Sequence, residues 1–253
     1  PGPQREASKA PRLRVGILGM LVSTDLVLRR KVDVLHVHLS HGGSVLRKSM
    51  PLLAAHLMHV PAVVHGHSFD FAGWLDRLPK PAVWIVRVLL PADLWLVLGN
   101  GLAEEYRAAL ALPESKVRVL YNPVHLPPRH SRPAGNAVTV VSLGRLGKRK
   151  GSYDLVRAVS LLEPAVRSKV SLVMAGDGEV DEVRAAAAAA GVSDVVTVRD
   201  WITPDERDSL LASAAIFVLP SYDEGLPMAI LEAMASGLVP LTTPVGGIPE
   251  AIT

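Results

Sequence analysis

Two glutamates with seven residues between them, Glu224 and Glu232 in SYDEGLPMAILE, are the side chains of this chain whose type and spacing lend themselves most readily to chemistry. The apolar run AIFVLP ahead of them reads as a buried strand. Pro227, MAILEAMAS and Gly237 then read as a helix with proline in its first turn and glycine at its end. Glu224 falls in the turn at the strand's carboxyl end and Glu232 on the helix behind it. Carboxylates accept hydrogen bonds from paired hydroxyls, so the two can grip one polyol, with Gly225 letting the backbone pass close to it. A solvated helix face carries glutamates too, so the surroundings decide.

Those surroundings repeat a pattern. Four apolar runs in the second half each end in a glycine-bearing polar loop: VTVVSLGRLGKRKG, VSLVMAGDGE, AIFVLPSYDEG and LVPLTTPVGGIPE. Each loop opens a helix, which predicts an open parallel sheet whose loops line up outside the strands' carboxyl ends. Helix N-termini there favour phosphate, so a nucleoside-diphosphate ligand is expected. In the first loop Lys148 and Arg149 read as a solvated basic turn and Lys150 as part of the site.

The first half carries histidines at two strand ends, His36, His38 and His41 in DVLHVHLSHGGSVLRKS and His65 and His67 in AVVHGHSFD. Residues two apart on a strand share a side, so one imidazole of a pair can face a substrate while its neighbour bonds backbone. His-x-His after a strand also begins the zinc site of some hydrolases. That alternative lacks ligands: no Asp-His pair follows, and the second half supplies phosphate loops.

On the ordered motifs GRLGKRKG, AGDGE (175–179), EGLPMAILEAMASG and GGIPE ending at Glu250, the chain resembles glycosyltransferase family 4 (glycosyl transferases group 1), particularly its bacterial polysaccharide members. These are retaining enzymes of the GT-B fold. The resemblance implies an α/β architecture of two Rossmann-like parallel-sheet lobes that close over a cleft. It implies that Arg145 and Lys150 hold the donor diphosphate, that Glu232 bonds the ribose and that Glu224 contacts the transferred sugar. Gly176, Gly225 and Leu226 complete the donor set. His67 matches the histidine facing the reacting sugar, although Ser68 stands where the family usually has glycine, and His38, Gly42 and Gly43 fall on the acceptor side. The catalytic residues expected are thus His67 and Glu224.

The implied reaction moves a sugar from a nucleotide sugar to a saccharide or lipid-linked saccharide. No cofactor and no metal are expected: there is no Asp-x-Asp pair, and two fixed cations neutralise a departing diphosphate. A sugar-nucleotide epimerase of the same architecture and a non-catalytic partner subunit are the competing readings. The tandem motifs favour transfer over the first, the intact glutamates argue against the second.

Composition bounds the rest. With 253 residues, 49% apolar and 20% charged, the chain is long enough for two packed domains. It has no cysteine, so thiol catalysis and cysteine-ligated zinc are excluded. The net charge of +3 lies at one end: residues 1–31 hold seven basic and two acidic side chains, Arg5, Lys9 and Arg12 among the basic ones, and the remainder 20 against 22. That excess suits peripheral contact with an anionic membrane surface, a solvated terminus being the competing reading, and no nucleic-acid partner is indicated. The expected location is cytoplasmic, up to the inner face of a membrane.

The domains expected are an acceptor-side lobe over 1–125, a proline- and glycine-rich linker over 126–136 and a donor lobe over 137–253. The fourteen residues VGILGMLVSTDLVL (15–28) fall short of the roughly 20 that span a bilayer and read as a buried helix feeding the strand 32–38. DLWLVLGN reads as a strand ending at Asn100. Trp201 reads as packing rather than as a base-stacking residue, with Asp200 where the family often has glycine. The resemblance starts near residue 12 and ends just past GGIPE, so both lobes are expected to be incomplete at the termini, covering roughly two-thirds of a full enzyme.

Overall fold

The computed structural model describes residues 9–68, 70–127 and 137–252. The chain divides into two compact units between Asn122 and Pro123. Most of the expected linker 126–136 lies outside the described residues, as do Arg5 and the side chains of Lys9 and Arg12 in the basic segment.

The first unit runs α1 (Lys9–Leu28), β1 (Leu35–Leu39), α2 (Gly43–Met58), β2 (Ala62–Gly66), α3 (Phe71–Asp76), α4 (Lys80–Leu89), β3 (Leu94–Val97), α5 (Asn100–Leu110) and β4 (Val117–Val119). Its strands pair in the order β1-β2-β3-β4, all parallel, with His38 level with His65 across the β1–β2 pair. Parallel neighbours need a crossover, and α2, α3 with α4, and α5 supply them. Buried residues alternate along β1 at Leu35, Val37 and Leu39, which leaves His36 and His38 on the opposite, exposed face.

Two expectations are corrected here. The helix over 15–28 exists as part of α1 but is largely exposed, with Val15 at 71% and Leu18 at 62%, while Thr24 and Val27 are buried. Its apolar side chains are spread around the helix, whereas only one side packs on α2. The strand in DLWLVLGN ends at Val97, because Gly99 caps α5 and Asn100 is that helix's first residue. Among the described residues, no helix is long and apolar enough to cross a membrane.

The second unit runs β5 (Val138–Leu143), α6 (Ser152–Ser160), α7 (Pro164–Arg167), β6 (Val170–Ala175), α8 (Val180–Ala189), β7 (Val196–Arg199), α9 (Pro204–Ser213), β8 (Ile216–Leu219), α10 (Met228–Ala235), β9 (Val239–Thr242) and α11 (Ile248–Ala251). The parallel sheet has the order β7-β6-β5-β8-β9. Crossovers from β5 proceed toward one edge and those from β8 toward the other, so the strand order reverses between β5 and β8. Loops diverge at such a switch point and leave a crevice outside the carboxyl ends. One core holds Leu155, Val156 and Val183 beside Leu172 and Met174; the other holds Phe217, Leu219, Ile230 and Ala233 beside Val141. Helices thus cover both sheet faces.

Candidate functional site

The crevice of the second unit gathers the predicted donor residues onto three loops. The loop after β5 carries Arg145 and, in a 3₁₀ turn Lys148–Lys150, Lys150 at the entry to α6. The loop after β8 carries Ser221, Glu224, Gly225 and Leu226 ahead of α10, and Glu232 lies in α10. Pro227 is the N-cap of that helix with an extended ψ of 123°, one position before the first-turn place expected of it.

Lys150 and Glu224 meet. The Lys150 ammonium donates to Glu224 Oε1, with only 17% and 7% of the two side chains exposed, and Ser221 Oγ donates to the same oxygen at 2.7 Å. A buried carboxylate needs such partners, since desolvation otherwise disfavours its charge. Both bonds fall on Oε1, which leaves Oε2 to accept from another group. The pair joins the loops on either side of the switch point. Arg149 reinforces the joint by donating to the Asp223 carbonyl at 2.8 Å. Arg145 is two-thirds exposed and reaches Asp177 Oδ2 at 3.3 Å, on the loop after β6.

Glycines let these loops touch. A Cβ on Gly176 would stand 1.7 Å from the Gly144 carbonyl oxygen, so the loops after β5 and β6 close on each other only because that side chain is absent. Gly246, at φ 56°, lies so near the Glu224 carbonyl that a Cβ would come within 1.8 Å, and the Gly247 N–H donates to the Gly225 carbonyl at 2.7 Å. The GGIPE motif is therefore packed directly on the turn that holds Glu224. The Leu226 side chain is buried at 5% exposure, below this contact.

Glu232 has a partner the sequence reading did not find: Arg207 Nη1 donates to its Oε1 at 3.0 Å. Burial pushes the Glu232 carboxyl above its ordinary range, Arg207 pulls it back and Asp208 adds to the rise. Arg207 is placed by a capping box at the start of α9, where Thr203 Oγ1 accepts from the Glu206 N–H at 3.3 Å and Glu206 Oε2 accepts from the Thr203 N–H at 2.8 Å. The available signal was a cation one turn into a helix, where the dipole disfavours it.

A cavity of about 530 Å³ opens beside this pair, lined by Gly144, Gly176, Trp201, Arg207, Met228 and Glu232 among others. Trp201 is 43% exposed on its wall, beside the loops that carry the predicted donor residues. It follows β7 in the short connection to α9. A second cavity of about 620 Å³ shares Arg207, Met228 and Glu232.

In the first unit His36, His38, His65 and His67 form one cluster. His38 Nδ1 lies 2.6 Å from His67 Nε2, and the rings of His65 and His67 are 4.1 Å apart. The His67 N–H donates to the Leu39 carbonyl at 2.9 Å, which fixes the chain just past β2. Ser68, where the family usually has glycine, is buried, its hydroxyl 2.7 Å from His41 Nδ1 and its carbonyl accepting from the buried Tyr106 hydroxyl at 3.0 Å. Burial and the neighbouring imidazoles hold His38 and His67 below the usual histidine range and His65 at about 4. Gly42 is the N-cap of α2 and Gly43 its first residue.

Comparison with known proteins gives the family. The family described as "Glycosyltransferase Family 4" matches residues 2–126 and that described as "Glycosyl transferases group 1" matches 128–253. The sulfoquinovosyl transferase SQD2 of Arabidopsis thaliana is 29% identical over 245 residues, covering 89% of this chain and 45% of its own. A D-inositol 3-phosphate glycosyltransferase of Streptomyces scabiei is 25% identical over 246 residues, covering 87% of this chain and 54% of its own. The chain thus spans about half the length of these curated relatives. The crystal structure of Anabaena HepE in complex with UDP and glucose superposes with a TM-score of 0.70 at 16% identity, over 99% of this chain and 68% of that one.

Proposed function

The chain belongs to the family 4, group 1 glycosyltransferases with the GT-B fold, and from that membership we propose that it moves a sugar from a nucleoside-diphosphate donor to a saccharide or lipid-linked saccharide acceptor, with retention at the transferred carbon. The observation that carries this reading is the Lys150–Glu224 pair at the switch point of the second unit. An ammonium has three donors, so Lys150 keeps Glu224 and still offers N–H groups to a diphosphate at the entry to α6. Glu224, with Oε1 occupied, offers Oε2 to a hydroxyl of the transferred sugar. Glu232, steadied by Arg207, takes the ribose hydroxyls, and the base enters the cavity beside Trp201. The relatives' names, a sulfoquinovosyl transferase and an inositol-phosphate glycosyltransferase, and the UDP and glucose of the HepE complex support a donor of this class.

As the bond to the diphosphate breaks, negative charge grows on the leaving oxygen. Lys150 and the exposed Arg145 neutralise it without a metal ion, the role that fixed cations fill where charge develops. Glu224, fixed in place by its contacts with Lys150 and Ser221, keeps the sugar's hydroxyls oriented while the sugar ring gains positive character. His67 is proposed as the first unit's contribution to transfer: held neutral by burial and the imidazoles of His38 and His36, it hydrogen-bonds a sugar hydroxyl without charge repulsion.

Thermal unfolding with UDP, GDP and ADP and their common sugar conjugates tests the donor assignment. A donor at 100 times its Kd stabilises the native state by about 2.7 kcal/mol, a shift of a few degrees. Absence of a shift with every nucleotide sugar would sink the reading. Transfer that collapses in EDTA and returns with magnesium would overturn the part given to Lys150 and Arg145.

A further inference from the structure

We propose that His36, His38 and His65 form a binding site for one divalent transition-metal ion of the zinc class, on the exposed face of the first unit's sheet. It rests on none of the donor-site reading.

The strands dictate the arrangement. His36 and His38 are two apart on β1 and share a face, and His38 is level with His65 on the parallel neighbour β2. Three imidazoles therefore stand at the corners of a triangle, with ring centroids 4.9 Å apart for His36–His38, 5.3 Å for His38–His65 and 5.9 Å for His36–His65. Nitrogens about 2.05 Å from a tetrahedral zinc lie about 3.3 Å from one another, which puts ring centres about 5 Å apart. One ligand nitrogen from each ring already lies within 4.8 Å of the others, and small rotations of the two exposed rings close the rest.

A second observation points to a ligand. His65 is 8% exposed and its Nε2 is buried with no hydrogen-bond partner. Buried polar atoms are nearly always partnered, and an orphaned imidazole nitrogen beside two other imidazoles is what a metal ion would satisfy. In the tautomer in which His38 donates its Nδ1 proton to His67 Nε2, the other nitrogen of His38 carries the lone pair, the outer-shell pattern of a metal-ligating histidine. The donor set fixes the class of ion. Three imidazoles with no thiolate or carboxylate suit zinc, cobalt, nickel or copper(II) and do not suit magnesium or calcium. Three protein ligands leave a fourth position for water or an anion.

The test is calorimetric titration of the untagged chain with zinc chloride, with metal content checked by equilibrium dialysis. One zinc per chain is expected, with a Kd in the micromolar range. His36→Gln and His38→Gln, both exposed positions, should each weaken binding at least about tenfold while leaving the circular dichroism unchanged. His56→Gln, on α2 outside the triangle, should leave it intact. No stoichiometric binding, or equal losses in His36→Gln and His56→Gln, would overturn the site. His65→Gln serves as a third arm only if it folds.

Discussion

Arg207 Nη1 lies 3.0 Å from Glu232 Oε1, joining the start of α9 to α10 on the wall that the 530 Å³ and 620 Å³ cavities share. The carboxylate assigned to ribose is thus held by a guanidinium that no motif announced. Arg207→Ala should weaken bare nucleoside-diphosphate binding by about 1 to 2 kcal/mol, through a misplaced Glu232, and Glu232→Gln by about 1.5 to 3 kcal/mol. Glu224→Gln should leave bare nucleotide binding intact and depress turnover. Calorimetry with the sugar-free nucleotide separates these; equal losses at Glu224 and Glu232 refute the division of roles.

The same pair carries a pH dependence of stability. Glu232 keeps its proton to higher pH in the folded chain than its ordinary 4.5, so the unfolded chain releases the proton first as pH rises. Its contribution to stability is therefore largest below 4.5 and falls as pH rises through that value toward the folded one. Arg207 opposes the shift, so Arg207→Ala should steepen the fall and Glu232→Gln should abolish it. Urea midpoints across the acid range decide the matter.

At Lys150 and Glu224 the prediction concerns a buried pair. Removing one partner of such a pair costs about 3–5 kcal/mol when fully buried, and Lys150→Ala should approach that, since it strands Glu224. The double variant Lys150→Ala with Glu224→Gln should be more stable than Lys150→Ala alone, because the orphaned charge is gone. If the single and double variants unfold alike in urea, the pair is not coupled as described.

His65 gives the opposite sign. Burial first, then His67, His38 and His36, hold it at about 4 against an ordinary 6.5, so the unfolded chain takes up the proton first. Stability from this group is complete above 6.5 and lost as pH falls toward 4. A His65→Asn chain, measured with chelator present, should lose that slope even if it is less stable throughout. His67→Ala, by contrast, should cut turnover by about two orders of magnitude, about 3 kcal/mol of barrier.

How far these groups were legible in the sequence follows from how each is specified. Strands and the loops after them were readable because apolar runs ending in glycine fix both the strand and its exit; Glu224 and Lys150 ride on such loops. Arg207 was not, because it belongs to no loop motif and meets Glu232 only after two helices pack. The exposure of α1 was equally hidden: its composition shows that it is apolar, and composition cannot say which neighbours cover it. The departure at Ser68 reads differently in three dimensions, where the hydroxyl holds His41 and the carbonyl holds Tyr106.

The contact of Gly246 and Gly247 with the Glu224–Gly225 turn sets a lower limit on any self-sufficient donor unit. Shortening the chain before Gly247 would strip the Gly225 carbonyl of its donor and remove Ile248, which is 2% exposed in the sheet's second core. Glu224 would then sit on a turn with one side open, far in sequence from the cut. Residues 246–248 are in this sense the keystone of a turn more than twenty positions upstream, and alanine there should cost the site its shape before any ligand is offered.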